Sequence, residues 1–388
     1  MNVPKLRFKE FNDEWVTCTI NSVAEVISGG TPDTTNSNYW DGSINWFTPS
    51  EVGKSKYISN SKRKITQLGL QKSSAKLLPV GTILLSSRAT VGESSILSNN
   101  EACTNQGFQS LIPHKNINNE FLYYLIYKYK KSLLKQAFGS TFLEISKNNV
   151  EKIKINIPTS MKEQIKLSTF LSLLDRKIEL QTKKIEALKL FKLSITQNIF
   201  NEKKLNDFQS VTLGKILKPG SKIPVKNTSE YEKMTVKLNF KGLAKLETKK
   251  EMADTRPFYV RNENEIIIGK QNYFNGSIAK VTKDFKGCIC SNAIMSFTTI
   301  NGVNVDYVLY YLSQKNYINR RKFLANGTGQ KELSEKEFLK FVIKLPSTQI
   351  QNNISKKISC VSNLLLLENK KLTTLKNLKK GLLQNMFI

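Results

Sequence analysis

The chain has 388 residues, 39% hydrophobic and 9% aromatic, which permits ordinary globular folding and is too long for one small core. With 60 Lys and Arg against 31 Asp and Glu, the formal net charge is +29 at pH 7, a surplus that points to a polyanionic partner, nucleic acid first. No apolar run approaches the roughly 18 residues that would span a bilayer, and the first ten residues carry charge without an apolar signal core, so a cytoplasmic protein with no membrane role is expected.

Residues 1–158 read as a first mixed α and β domain. Ile83-Leu84-Leu85 and Ile153-Lys-Ile155-Asn-Ile157 have strand character. Ser28-Gly29-Gly30-Thr31-Pro32, Ser59-Asn60-Ser61 and Ser98-Asn99-Asn100 are breaks between elements. Phe121 to Lys135 predicts a helix. Residues 159–203 hold a long helix: Thr159 to Phe200 contains neither Pro nor Gly. Its residues Leu167, Leu171, Leu174, Ile178, Gln181, Ile185, Leu188, Lys192, Ile195 and Ile199 recur every three or four positions, all but two apolar, as the a/d seam of a helix that pairs with another helix. The polar stretch Asn201 to Gln209 reads as a hinge. Residues 204–346 read as a second domain, with strands near 265–268 and 341–343, and residues 347–388 as a second long helix.

The second half repeats the first. The seam returns 187 residues later as Ile354, Ile358, Val361, Leu365, Glu368, Leu372, Leu375, Lys379, Leu382 and Met386, with its polar interruptions at the same places. Gln197-Asn198-Ile199-Phe200 matches Gln384-Asn385-Met386-Phe387. Leu122-Tyr123-Tyr124-Leu125 matches Leu309-Tyr310-Tyr311-Leu312. Gly139-Ser140-Thr141, Glu144-Ile145-Ser146 and Ile155-Asn156-Ile157-Pro158 match Gly327-Thr328-Gly329, Glu332-Leu333-Ser334 and Ile343-Lys344-Leu345-Pro346. The expected fold is α+β: two globular domains in pseudo-repeat, separated by two long antiparallel coiled-coil helices. Each helix spans roughly 50 Å at about 1.5 Å per residue, comparable with a turn or more of DNA at about 34 Å. The interiors of the two domains match poorly, so one scaffold presents two different recognition surfaces.

Catalytic signatures are missing from the sequence. There is no Gly-x-x-x-x-Gly-Lys-Ser/Thr phosphate loop, Gly-x-Gly-x-x-Gly turn, Gly-x-Ser-x-Gly elbow or Asn/Asp-Pro-Pro-Tyr/Phe motif. His114 is the only histidine, which removes most His-based chemistry. Acid-x-Lys triplets such as Glu247-Thr248-Lys249 are expected by chance. Cys18, Cys103, Cys288, Cys290 and Cys360 are odd in number and scattered, which argues against a disulfide framework. Cys288-x-Cys290 lacks partners at zinc spacing and reads as buried thiols. No catalytic residue and no metal site is expected.

For DNA contact the candidates are basic and amide side chains between elements: Lys54, Lys56, Arg63, Lys64, Arg88, Asn105 and Gln106 in the first domain, and Arg256, Lys270, Gln271, Asn272, Arg320, Arg321, Gln330 and Lys331 in the second. Arg reads guanine and Asn or Gln reads adenine bidentately, while Lys mostly holds phosphates. A solvated surface is the alternative for each. Trp46 and Tyr39-Trp40 read as core packing, with base stacking as the alternative.

Several of these motifs resemble one family. Pro4-Lys5-Leu6-Arg7-Phe8 with Phe11 and Glu14-Trp15 resembles the usual start of the specificity subunit of type I restriction-modification systems. Ser28-Gly29-Gly30-Thr31-Pro32 with Tyr39-Trp40, Gly42, Ile44 and Trp46 resembles the opening of its target-recognition domain. Ser87-Arg88-Ala89-Thr90-Val91-Gly92 and Asn105-Gln106-Gly107-Phe108 resemble later family motifs. The second domain departs at its start, with Lys218-Pro219-Gly220-Ser221 in place of Gly-Gly-Thr-Pro. The resemblance implies that each domain reads one half of a split target in double-stranded DNA and that the paired helices set the gap. It implies docking of two methyltransferase (M) subunits, which use S-adenosylmethionine, and of restriction (R) subunits, which use ATP and Mg²⁺; this chain itself would hold no cofactor. A catalytically active methyltransferase-nuclease fusion remnant is the alternative. A coiled coil serving a membrane surface is a third reading, disfavoured by the lack of a sharply amphipathic basic helix.

Overall fold

The computed structural model describes residues 2–139, 143–246, 256–322 and 332–388. Gln330, Lys331, Glu247-Thr248-Lys249, Ser140-Thr141 and Gly327-Thr328-Gly329 lie outside the described residues. The chain divides into two compact units, Met1–Thr182 with Lys370–Ile388 and Lys183–Asn369.

In the first unit the chain forms β1 (Val16–Thr19), β2 (Ala24–Ser28), β3 (Trp40–Phe47), β4 (Tyr57–Ile58), β5 (Arg63–Ile65), α1 (Gln67–Gln71), β6 (Ile83–Leu85), β7 (Ser94–Leu97), β8 (Ala102–Thr104), β9 (Gln109–Pro113), α2 (Asn119–Lys128), α3 (Lys130–Gln136), α4 (Lys147–Glu151), β10 (Lys154–Ile157) and then α5 (Met161–Ile199). The second unit follows with α6 (Glu202–Leu205), β11 (Gln209–Thr212), α7 (Leu213–Ile216), β12 (Leu217–Pro219), β13 (Met234–Val236), β14 (Leu243–Lys245), β15 (Phe258–Val260), β16 (Ile266–Gly269), β17 (Ile278–Lys280), β18 (Ile289–Ser291), β19 (Ile294–Thr299), α8 (Val305–Leu312), α9 (Lys315–Asn319), α10 (Glu335–Leu339), β20 (Val342–Leu345) and α11 (Thr348–Asn385), each long helix belonging in part to either unit, α5 changing after Thr182 and α11 after Asn369.

The two units share a topology. The largest sheet of the first has the order β2-β9-β6-β7-β4, and that of the second β12-β19-β16-β17; β1 pairs with β10 as β11 pairs with β20. The strands expected at 83–85, 153–157, 265–268 and 341–343 are β6, β10, β16 and β20. Two expectations change. The helix expected from Phe121 to Lys135 breaks at Tyr129 (φ −85°, ψ 8°), whose hydroxyl donates to Ile388 O at 3.1 Å and accepts from Asn156 N at 3.1 Å. The polar stretch after Phe200 is no hinge: Asn201 caps α6, Leu205 is buried, and Phe208 packs against the same core.

A buried polar ladder ties each domain to the start of one long helix. In the first unit Gln164, on α5, accepts from Asn118 N (2.9 Å) and donates to Pro158 O (3.1 Å), while Ser168 donates to the Asn118 Oδ1 that caps α2 (3.2 Å). In the second, Gln351, on α11, accepts from Asn304 N (2.9 Å) and donates to Pro346 O (2.8 Å), and Ser355 donates to the Asn304 Oδ1 that caps α8 (2.9 Å). All four helix side chains are buried. Asn118 and Asn304 are 186 apart and the helix residues 187, so the structural counterpart of Tyr124 is Tyr310, not Tyr311: Tyr124 and Tyr310 share hydrogen bonds with Ser172 and Ser359.

The helix ends are treated alike. Phe387, at the end of α11, is buried in the first unit against Trp15 and Phe121, with ring centroids 6.1 and 5.6 Å apart. Phe200, just after α5, lies against Tyr307 and Tyr311 in the second. In each unit the helix segments run antiparallel. In the first, Asp175 pairs with Lys379 and Leu167 joins the core that holds Leu383 and Met386; in the second, Lys184 pairs with Glu368 and Phe200 joins the core flanked by Ile354. On the seam Leu171, Leu174, Ile185, Ile358 and Leu375 are buried, while Ile178, Leu188, Val361, Leu365 and Leu372 are half-buried.

Asn118→Ala removes a cap acceptor, a change of about 0.5–2 kcal/mol, and leaves the buried Ser168 hydroxyl only its acceptor within the helix, Ile165 O at 3.0 Å. All three tryptophans, Trp15, Trp40 and Trp46, lie in the first unit. Urea unfolding followed by tryptophan fluorescence should therefore shift to a lower midpoint in this variant and move much less in Asn118→Asp, which keeps the acceptor. Equal midpoints for Asn118→Ala and the parent chain would remove the ladder from the stability of the unit.

Candidate nucleic-acid interface

In the first unit, segments far apart in sequence converge at one end of the sheets. Gly30 N donates to Thr104 O (2.8 Å), and Trp46 Nε1 donates to Gly30 O (2.8 Å). A Cβ on Gly29 would stand 2.0 Å from Asn105 O, and one on Gly30 2.3 Å from the backbone of Ser74 and Ala75, so only glycine admits this approach. Ser87 N donates to Gly107 O (2.8 Å), Gly107 N donates to Asn105 Oδ1 (2.9 Å), and Thr31 donates to Gln106. The Gly-Gly-Thr-Pro, Ser-Arg-Ala-Thr and Asn-Gln-Gly motifs thus form one surface.

Arg88 stands at the tip of a strained turn between β6 and β7. Thr90 N donates to Arg88 O at 2.5 Å around Ala89, which has φ +59°. This is the geometry of a γ-turn, rare for a residue with a side chain. Ser87 Oγ inside the turn is buried with no hydrogen-bond partner among the described residues. The Arg88 guanidinium is half-exposed and pairs with Glu144 at 2.8 Å, and Ile145 N donates to Ser87 O (3.0 Å).

The second unit rebuilds this arrangement with other residues. Its β16–β17 turn carries Lys270-Gln271-Asn272. Leu333 N donates to Lys270 O (3.1 Å), and Gln271 Nε2 donates to Glu332 Oε1 (3.3 Å). Glu332-Leu333-Ser334 is the repeat of Glu144-Ile145-Ser146, so Gln271 stands where Arg88 stands and the same glutamate holds it. Asn272 Oδ1 accepts from Asn275 within the turn (3.2 Å). The segment after β12 is fixed differently: Gly220 N donates to Ser296 O (2.8 Å), and buried Arg261 donates to Ser221 O (3.0 Å), the part Trp46 plays for Gly30. Arg261 also donates to Cys290 Sγ (3.2 Å) and lies 3.9 Å from buried Glu265. Sequence reading missed Arg261, Glu265 and the ladder; the only signals were the Arg-x-x-x-Glu spacing and Gln-x-x-x-Ser-x-x-x-Ser at two places 187 residues apart.

The remaining candidates fall into three groups. Lys54 and Lys64 are exposed, as is Arg63, whose guanidinium lies 3.6 Å from the centre of the Trp40 ring. Trp40 and Trp46 are buried edge to face at 5.1 Å, so packing is their role. Lys56 is turned inward, donating to Glu120 (2.8 Å), Tyr124 (3.3 Å) and Ser172; burial lowers its pKa, and it is no surface contact. Arg320 pairs with Glu202, and Arg321 stacks on Tyr317 (3.6 Å) while donating to its carbonyl (3.0 Å), so both are engaged with α6 and α9. Arg256 is exposed and engaged in a contact of its own. Cys103, Cys288 and Cys290 are buried, burial pushing the Cys103 thiol up to about 12; Cys360 is exposed. Among the described residues no cluster of His, Cys, Asp and Glu stands ready to hold a metal, and no helix is long and apolar enough to cross a membrane.

The family model for the type I restriction modification DNA specificity domain matches residues 12–190 and 200–377, one copy on each half. The chain belongs to this family. It is 38% identical over 191 residues to the type I restriction enzyme MjaIX specificity subunit of Methanocaldococcus jannaschii, covering 48% of this chain and 44% of that one. It is 29% identical over 198 residues to the EcoR124I/EcoR124II specificity subunit of Escherichia coli, covering 47% and 48%. The chain thus spans about half the length of these curated relatives. The crystal structure of the type I restriction-modification S subunit from M. genitalium covers 100% of this chain and 99% of that one with a TM-score of 0.63 at 18% identity, which shows a shared fold. The α+β fold of paired domains and long helices is therefore that of the specificity-subunit family.

Gly29→Ala tests the convergence. Its Cβ meets backbone rather than a flexible side chain, so the loops must part, at about 1–3 kcal/mol. A fall of several degrees in melting temperature is expected. An unchanged melting temperature would mean that the two loops are free to separate.

Proposed function

We propose that this chain is the non-catalytic specificity subunit of a type I restriction-modification complex, and that each domain reads one half of a bipartite target in double-stranded DNA. The observation that carries this reading is the pair of equivalent turns. Each unit presents one long side chain, Arg88 or Gln271, from the same turn of the same sheet, and the same repeated glutamate holds it. Guanidinium and carboxamide are the groups that read guanine and adenine bidentately. One scaffold thus carries two different letters. The charge of +29 supplies non-specific attraction to phosphates, with Lys54, Arg63, Lys64 and Gln106 exposed and Asn105, Lys270 and Asn272 half-buried.

The long helices serve as ruler and dock. Their seam residues face each other, while Leu173, Leu180, Leu190, Phe191, Leu366 and Leu367 are exposed off the seam, apolar side chains that suit partner helices. Two methyltransferase subunits are the partners proposed for them, with restriction subunits joining the complex in the cytoplasm. S-adenosylmethionine, ATP and Mg²⁺ belong to those partners.

The test is the methylated-adenine map of cells carrying the chain with its methyltransferase subunit. Gln271→Arg should change one position of the second half-site toward guanine, with discrimination of about 1–3 kcal/mol, and leave the first half-site and the gap alone. A variant that stays active with an unaltered motif would refute the assignment of Gln271.

Inserting seven residues between Gln181 and Ile185 keeps the seam in phase and lengthens α5 by about 10 Å. The unread gap should then grow by up to roughly three base pairs at about 3.4 Å each, with both half-sites unchanged. A single inserted residue turns the remainder of the helix by about 100° and should abolish assembly. An active heptad variant with the original gap would leave the helices as docks only.

A further inference from the structure

Lys192 and Lys379 interrupt the seam at repeat-related positions and meet different fates. In the first unit Lys379 Nζ lies 2.5 Å from Asp175 and over the rings of Tyr124 and Tyr127, at 5.6 and 5.5 Å. The repeat counterpart of Asp175 is Ser362, whose hydroxyl is spent on Ile358 O (2.8 Å). Among the described residues the half-buried Lys192 ammonium has no carboxylate partner, and burial lowers its pKa. A cavity of about 980 Å³ opens at this point within the second unit, lined by Lys192, Ser362, Leu193, Phe240, Ile278 and Ile358 among others. Asp306, the one carboxylate among the described residues that line it, is taken by Lys280 at 2.6 Å, as Glu120 is taken by Lys56.

We propose that this cavity is a docking site for an acidic, amphipathic segment of a partner protein, seated with a carboxylate on Lys192 and apolar side chains on the floor. Charge complementarity names the occupant. Lys189, Lys192 and Lys315 line the cavity and none of them is paired with a carboxylate among the described residues, and where the repeat does satisfy this lysine it uses a carboxylate. Ile278, Leu309 and Ile358 suit aliphatic side chains and offer nothing to a sugar-phosphate backbone. The size is at the upper end of ordinary ligand pockets, about 300–1,000 Å³. Because Asp175 fills the equivalent place in the first unit, one segment binds per chain despite the repeat. The site goes beyond DNA reading and does not depend on which bases the domains select.

The test uses the full chain and a fluorescein-labelled peptide of sequence acetyl-ELEFDL-amide, followed by anisotropy. Saturable binding at one site per chain is expected. Lys192→Met should weaken it at least tenfold. Ser362→Asp, which installs the carboxylate that the first unit already carries, should weaken it equally while raising the melting temperature. Lys357→Met, an exposed lysine outside the cavity, removes the same charge and should leave binding unchanged. No binding to the parent chain, undiminished binding by either the Lys192 or the Ser362 variant, or equal loss with Lys357→Met would overturn the proposal. So would displacement of the peptide by a short DNA duplex whose own binding falls with Lys192→Met, since the cavity would then be a phosphate site.

Discussion

Two asparagine caps and the glutamines that satisfy them hold each domain to its helix. A helix N-terminus leaves four backbone N–H groups without partners, and burying it against another helix would ordinarily strand them. Here Asn118 and Asn304 supply acceptors from within, and Gln164 and Gln351 reach across to the cap backbone. Buried polar groups of this kind fix geometry more sharply than apolar contact does, because sliding by one turn would separate the cap backbone N–H groups from the glutamine carbonyls that accept from them. The domain is thereby locked in rotation about the helix it begins, and the position of its recognition turn is set with it.

The recognition turns show how the scaffold tolerates variation. Backbone contacts recur: Ile145 N on Ser87 O, Leu333 N on Lys270 O, with the repeated glutamate beside them. Side chains do not recur, since the first turn carries Arg88 at the tip of a γ-turn and the second Gln271 in a wider loop. Main-chain hydrogen bonds do not depend on side-chain identity, so the tip residue can change while its support stays. The segment after β2 or β12 obeys the same division. Its backbone bonds to β8 of another sheet in the first unit and to β19 of the same sheet in the second, and an indole donor secures one and a buried guanidinium the other.

Pseudo-repetition also exposes where the copies have diverged. Glu120 and Asp306 each neutralise one lysine, and Tyr124 and Tyr310 each meet a helix serine. The exception is the pair Asp175 and Ser362. A lysine left in the seam without its acid is destabilising in isolation, and a cavity opens beside Lys192.

The seam, the repeat and the domain–helix–domain–helix order were legible in the chain because they rest on periodicity, which the helix translates directly into a face. Gly29-Gly30 was legible as a break between elements, whereas the close backbone approach that admits only glycine there appears in the tertiary structure. What the sequence could not show was which polar residues are buried. Lys56 looks like any surface lysine until Glu120, Tyr124 and Ser172 close around it, and Arg321 until Tyr317 lies under it. The one-residue difference between the Leu-Tyr-Tyr-Leu match and the true counterpart of Tyr124 has the same origin. Letter identity follows descent, whereas register is set by where an asparagine must stand to cap a helix. Tertiary structure alone decided the equivalence of Arg88 and Gln271, because it depends on two strands and a glutamate distant in the chain arriving at one point.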